Sequence, residues 1–159
     1  MTELATLFAQ AKTGCIVVNG QRIYSILRIR VEVPSLLSVR RLHAATDRVP
    51  GLRFAIRDGK ATLEGESVPD LVMWSDMSPV EREIHLIPKR KKIAEIMLWN
   101  CWRYHMTGHA VMQAWLVNSG MLVEQTDNTW ILRCNSGPNA ALTFDDLIVE
   151  VTLTPETKP

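Results

Sequence analysis

The residues best suited to chemistry are a cysteine and two histidines spaced four apart, namely Cys101, His105 and His109. Thiolate and imidazole groups are good Zn²⁺ ligands, and a spacing of four places neighbouring side chains on one helical face. Two features count against a metal site, because Gly108 interrupts the run before His109 and no Cys-x2-Cys pair is present. We therefore expect no metal site and no cofactor, and these three residues are the candidate ligands if that expectation fails.

Other catalytic patterns are sparse. A Cys–His nucleophile needs a thiol of low pKa beside an orienting base, and nothing in the local sequence signals one. Asp145, Asp146 and Glu150 supply carboxylates, which we interpret as a solvated acidic edge. There is no glycine-rich phosphate loop and no Gly-x-Ser-x-Gly motif. The sequence favours a protein without enzymatic activity, and a small hydrolase or transferase that uses Cys and His is the third possibility.

The composition favours one soluble domain. The chain has 159 residues and a net charge of +1. Its hydrophobic content of 47% is enough apolar sequence for a core. We expect a single α+β domain over 1–159, with possible sub-units over 1–66 and 78–153. Three scattered cysteines argue against a disulfide scaffold and for the reducing cytoplasm. No apolar run reaches the ~20 residues of a membrane span, so no membrane partner is expected.

The stretch over 91–133 should organise the rest of the chain. Advancing about 100° per residue from Lys92 gives an apolar circumference with one thin polar stripe. Such a pattern predicts a central buried helix. Trp99 lies on the polar stripe, between Glu95 and Arg103.

A second short helix over 109–119 and a hairpin with strands over 121–125 and 129–133 are predicted next. Helix, turn, helix and hairpin resembles a winged helix. The resemblance implies DNA binding, but the helix that would enter the major groove has no Lys or Arg. Phosphate contacts require cations, so we do not expect this helix to hold DNA.

The remaining segments predict hairpins and helices that complete a mixed or antiparallel sheet. Asn19-Gly20 is a strong signal for a two-residue hairpin, and Ser78-Pro79 is a good helix start. The predicted segments are helices over 2–12, 35–48 and from Ser78 to before Pro88, and strands over 15–18, 21–33, 52–57, 60–64 and 147–153.

Two binding surfaces are predicted. Trp99, Glu95 and Arg103 form a partner-binding set, because Trp and Arg are enriched in the energetic hot spots of protein interfaces. The second surface collects cations on the outward side of the strands and at the start of the central helix, namely Arg28, Arg30, Arg53, Arg57, Lys89, Arg90 and Lys91. We expect an accessory or regulatory protein that binds another protein or itself as a homodimer, with nucleic-acid binding through the arginines as the alternative.

Overall fold

The computed structural model describes residues 2–104 and 112–156. In these ranges the chain forms thirteen strands and one short helix. No helix in the described part is long and apolar enough to span a membrane. The elements are α1 (Leu4–Ala11), β1 (Cys15–Val18), β2 (Gln21–Tyr24), β3 (Leu27–Val31), β4 (Ser35–Ala44), β5 (Val49–Arg57), β6 (Gly59–Leu63), β7 (Glu66–Ser67), β8 (Asp70–Trp74), β9 (Glu81–Pro88), β10 (Ala94–Arg103), β11 (Gly120–Thr126), β12 (Thr129–Asn135) and β13 (Leu147–Pro155).

The strands form two antiparallel sheets. The larger sheet has nine strands in the order β1-β2-β11-β12-β13-β4-β9-β6-β7, and the smaller has four in the order β3-β10-β5-β8. Each sheet takes strands from both halves of the chain. In the smaller sheet β10 lies between β3 and β5, with Glu95 opposite Arg30 on one side and Arg57 on the other.

The core lies between the two sheets and follows from the two-residue period of the strands. In β3 the side chains of Leu27, Ile29 and Val31 are buried, whereas Arg28 and Arg30 between them are exposed. The buried side chains join those of the larger sheet in one cluster, which includes Leu37, Leu86, Leu132 and Val149. A smaller cluster of Leu4, Ile16, Ile23 and Phe144 holds α1 against β1 and β2.

The predicted α+β fold is wrong, because the predicted central helix is the strand β10. Residues four apart share a face of a helix, but they also share a face of a strand. The stripe of Glu95, Trp99 and Arg103 therefore fits either structure. The segment looks apolar almost all round when projected as a helix, because β10 is buried by the core on one face and largely covered on the other.

The winged-helix prediction is wrong for the same reason. Its first helix is β10, and 112–119 contains turns and an isolated bridge but no helix. The start of the predicted second helix, 109–111, lies outside the described residues. Only its hairpin is confirmed, as β11 and β12 paired from Gly120–Asn135 to Thr126–Thr129.

Two further helix predictions are wrong and several strand predictions are confirmed. The predicted helix over 35–48 is β4, and the one from Ser78 is β9. The predicted strand over 21–33 divides at Ser25 into β2 and β3, which belong to different sheets. The Asn19-Gly20 hairpin, the N-terminal helix and the final strand are confirmed.

A buried asparagine joins two loops at one end of the fold, the one before β11 and the one between β12 and β13. The Asn135 Nδ2 atom donates to the carbonyl oxygens of Asn118 and Asn139 at 2.9 Å each, and lies 3.3 Å from that of Ser136. Its Oδ1 atom accepts from the Phe144 amide at 3.3 Å. Removing this side chain would leave its buried polar partners without hydrogen bonds, which costs more free energy than the hydrogen bonds themselves contribute.

We predict that Asn135→Ala lowers the free energy of unfolding by about 2–4 kcal/mol. Urea denaturation followed by tryptophan fluorescence measures the change. Gln10→Ala, which removes an exposed amide from α1, is the control and should change stability by less than about 0.5 kcal/mol. Equal effects of the two substitutions would show that the network does not hold the loops.

Candidate binding surface

The smaller sheet has one side that points away from the larger sheet, here called the outer face. Cross-strand partners point to the same face, so the register identifies its members. Trp99 of β10 lies opposite Arg53 of β5, which lies opposite Val72 of β8. The outer-face residues are Arg28, Arg30, Gly51, Arg53, Ala55, Arg57, Asp70, Val72, Trp74, Glu95, Met97, Trp99, Cys101 and Arg103.

A stack of two indole rings occupies the middle of the outer face. The ring of Trp115 lies over that of Trp99, with centroids 5.0 Å apart and planes 24° from parallel. Trp99 is only 8% exposed, whereas Trp115 is 47% exposed. Trp99 is therefore the floor of the surface, and Trp115 presents its other face to solvent.

The backbone after β10 positions Trp115. β3 pairs with β10 only as far as Leu98. Further along β10, Gln113 bridges to Trp102 through two backbone hydrogen bonds of 2.8 and 3.0 Å. The Trp115 Nε1 atom then donates to the Ser25 carbonyl oxygen at 2.8 Å. Met112 lies nearby, with its Sδ atom 3.7 Å from Arg53 Nη1. These contacts hold the indole across the sheet.

The guanidinium of Arg53 completes the centre of the surface. Its Cζ atom is 5.4 Å from the Trp99 ring centroid, in cation–π geometry. Its Nε and Nη2 atoms each donate to one carboxylate oxygen of Asp70. The hydrogen bond from Arg53 holds the pKa of Asp70 below its ordinary value, and the hydrogen bond to Asp70 raises the pKa of Arg53. The pair fixes the cation over the ring.

A second arginine–aromatic pair lies further along β10. Arg103 has its Cζ atom 4.9 Å from the Trp74 ring centroid, and its Nη2 atom donates to both carboxylate oxygens of Asp76 at 2.6 and 2.8 Å. Gly51 allows Trp74 to lie flat on the sheet, because a Cβ atom at this position would be 2.7 Å from a ring carbon.

The opposite end of the outer face is basic. Arg28 and Arg57 both donate to Oε1 of Glu95, at 2.8 and 3.1 Å, so two cations share one carboxylate. The exposed Lys89, Arg90 and Lys91 lie in the turn that leads into β10. The two predicted surfaces are thus neighbours, since Glu95 belongs to one set and pairs with arginines of the other.

Of the three candidate metal ligands, only Cys101 lies within the described residues. Cys101 is fully buried, and burial raises the pKa of its thiol to about 12. Burial also raises the pKa of Cys134. His105 and His109 lie outside the described residues, and the described part contains no group of three or more His, Cys, Asp or Glu placed to hold a metal.

Sequence reasoning missed the aromatic residues that flank Trp99. Trp115 was expected inside a helix, and Trp74 was assigned no role, because neither has a local pattern that places it beside β10. No protein-family model, curated protein sequence or solved structure matches this chain.

The Arg53–Asp70 pair should make stability depend on acidity. A carboxyl whose pKa is lower in the folded state stabilises the fold above its unfolded pKa of about 3.9, and that stabilisation is lost as pH falls through the folded value. We predict that Asp70→Asn lowers the free energy of unfolding at pH 6 by less than about 1 kcal/mol, because the pair is partly exposed. The difference from the unmodified protein should shrink as the pH falls below about 3.9 and vanish once the pH is below the lowered pKa of Asp70 in the folded protein.

Urea denaturation at a series of pH values measures this difference. Asp127→Asn is the matched control, because Asp127 is an exposed turn residue outside this surface. A difference that grows as the solution is acidified would contradict the assigned direction of the Asp70 pKa.

Proposed function

We propose that this protein is a non-enzymatic binding protein, accessory or regulatory in role, whose outer face docks a protein partner. The observation that carries the proposal is the exposed indole of Trp115, seated on the buried indole of Trp99 and held beside the Arg53–Asp70 pair. Trp and Arg dominate the energetic hot spots of protein interfaces. Holding them in place before binding reduces the entropy lost on association.

The surroundings of Trp115 support an interface rather than a pocket for a small molecule. Leu116 and Val117 beside it are 49% and 40% exposed, and Tyr104 at the end of β10 is 46% exposed. Clustered exposed apolar side chains on a soluble protein are characteristic of interaction sites. The flanking ion pairs of Arg53 and Arg103 provide a polar rim, as in protein–protein interfaces.

The same chemistry supports a role without catalysis. The thiol pKa values of Cys101 and Cys134 are raised, the opposite of what a nucleophile needs. The three cysteines are unpaired, which fits the proposed location in the reducing cytoplasm.

A selected peptide provides the test of the proposal. Display of a random peptide library against the protein, with counter-selection on Trp115→Ala, should enrich sequences that bind the outer face. We predict that Trp115→Ala weakens the enriched peptides by about 2 kcal/mol or more, measured by isothermal titration calorimetry.

Val17→Ala is the matched control, because Val17 is an apolar residue of the larger sheet that is 66% exposed. This variant should bind the enriched peptides with unchanged affinity. Failure to enrich any sequence, or equal losses in both variants, would overturn the proposal.

Nucleic-acid binding is a second candidate, favoured by the basic end of the outer face. Arg30 and Arg57 adjoin the turn that carries Lys89, Arg90 and Lys91. This candidate predicts binding of a mixed-sequence DNA duplex that weakens steeply with salt. In fluorescence anisotropy, combined Arg30→Glu and Arg57→Glu substitutions should abolish that binding. Binding that is insensitive to salt or to both charge reversals would reject this candidate.

A further inference from the structure

The strand β3 lies at one edge of the smaller sheet. Among the described residues it pairs only with β10, from Leu27 opposite Leu98 to Val31 opposite Ala94. In an antiparallel pair, every second residue points its N–H and C=O groups away from the partner strand. The open side of β3 therefore presents a row of backbone donors and acceptors, which is a template for another strand.

A groove of about 700 Å³ runs beside this edge, between β3 and the larger sheet. Ile29 lies on the β3 side, and Trp130 and Leu153 lie on the opposite side. Gln125 and Asn128 of the β11–β12 hairpin form a polar margin. This volume falls within the usual range for ligand sites, and the apolar part of the lining, formed by Ile29, Trp130 and Leu153, would accept side chains directed between the two sheets.

Cations lie along the outer side of the same strand. The groove lining includes Arg28 and Arg30, and none of its described residues is acidic. Arg28 shares the single carboxylate of Glu95 with Arg57. The pair of Arg30 with Glu32 spans 3.8 Å, and both side chains are 68% exposed. Such an exposed pair contributes little, so a ligand carboxylate can replace it.

We infer that β3 binds an extended peptide in which apolar and acidic residues alternate, so that the peptide adds a strand to the four-stranded sheet. The side chains of an added strand follow the two-residue period. Residues beside Leu27 and Ile29, which both line the groove, would enter it. Residues beside Arg28 and Arg30 would lie on the outer face, where carboxylates are favoured. This site adjoins the surface around Trp115, because Trp115 donates to the Ser25 carbonyl oxygen just before β3.

Charge opposes a second copy of the chain as the occupant. Antiparallel pairing of two β3 strands about Ile29 would place Arg28 of one copy opposite Arg30 of the other. Like charges directly opposite each other destabilise a strand pair. The same charges favour an acidic partner, and the adjoining basic residues 89–92 extend that preference past the end of β3.

The probe is a blocked peptide that contains Val-Glu-Val-Glu-Val between Gly-Ser flanks. Calorimetry should show binding, and hydrogen exchange should show slower exchange of amides over 27–31 when the peptide is present. Peptides with Lys in place of Glu, or with the same residues in the order Val-Val-Val-Glu-Glu, should bind at least about tenfold more weakly.

Arg30→Glu should weaken binding of the Val-Glu peptide about tenfold and strengthen binding of the Val-Lys peptide, because Arg30 stands beside a peptide carboxylate. Arg22→Glu reverses an exposed charge on β2 and should change neither affinity. Trp74→Ala, on the far strand β8 of the outer face, should also leave the Val-Glu affinity unchanged, so this site and the proposed partner surface can fail separately.

Three outcomes would overturn the inference. Binding of the Val-Glu peptide without protection of the β3 amides would place it elsewhere. Equal affinity for the three peptides would remove the role of alternation and charge. Self-association of the free protein that protects the same amides, or protection of them by a DNA duplex with similar affinity, would assign the edge to another occupant.

Discussion

The position of β10 between β3 and β5 is the constraint on which the rest of the structure depends. The side chains of β10 alternate between two faces because the backbone of a strand is pleated. Pairing on both edges places those two faces in the middle of the sheet. Ala94, Ile96 and Leu98 enter the core, while Glu95, Trp99 and Arg103 form a row on the outer face. The paired strands then bring Arg28 and Arg53 beside that row. One pairing pattern thus builds both the core and the candidate surface.

The ion pairs on the outer face hold side chains in position more than they stabilise the fold. Partly exposed ion pairs such as Arg53–Asp70 contribute about 0–1 kcal/mol each, a small part of the 5–15 kcal/mol that stabilises a typical domain. Their effect is to fix guanidinium groups over the Trp99 and Trp74 rings. The buried hydrogen bonds of Asn135 do contribute to stability, because their polar partners cannot bond to water when the side chain is lost. The fold therefore separates residues that hold the loops from residues that prepare a surface.

The sequence predicts turns and strands better than helices in this chain. Asn19-Gly20 and Asp127-Asn128 give local signals, and both hairpins are present. The prediction of a central helix fails because a spacing of four fits both periods, so Glu95, Trp99 and Arg103 could be grouped without knowing the element. The gathering of arginines from β3 and β5 needs β10 between them, which is a non-local pairing. Trp115 lies in an irregular segment whose placement depends on a bridge to Trp102, and no periodicity reports such a contact.

The proposed docking of partners on the outer face can be tested with the indole N–H signals of a ¹⁵N-labelled sample. The five tryptophans occupy distinct places: Trp74, Trp99 and Trp115 are at the outer face, Trp102 is in the interior, and Trp130 lines the β3 groove. On titration with a partner or selected peptide, we predict shifts for the first three signals and none for Trp102. Unchanged signals from Trp74, Trp99 and Trp115 in a complex of demonstrated affinity would show that the partner does not dock on the outer face.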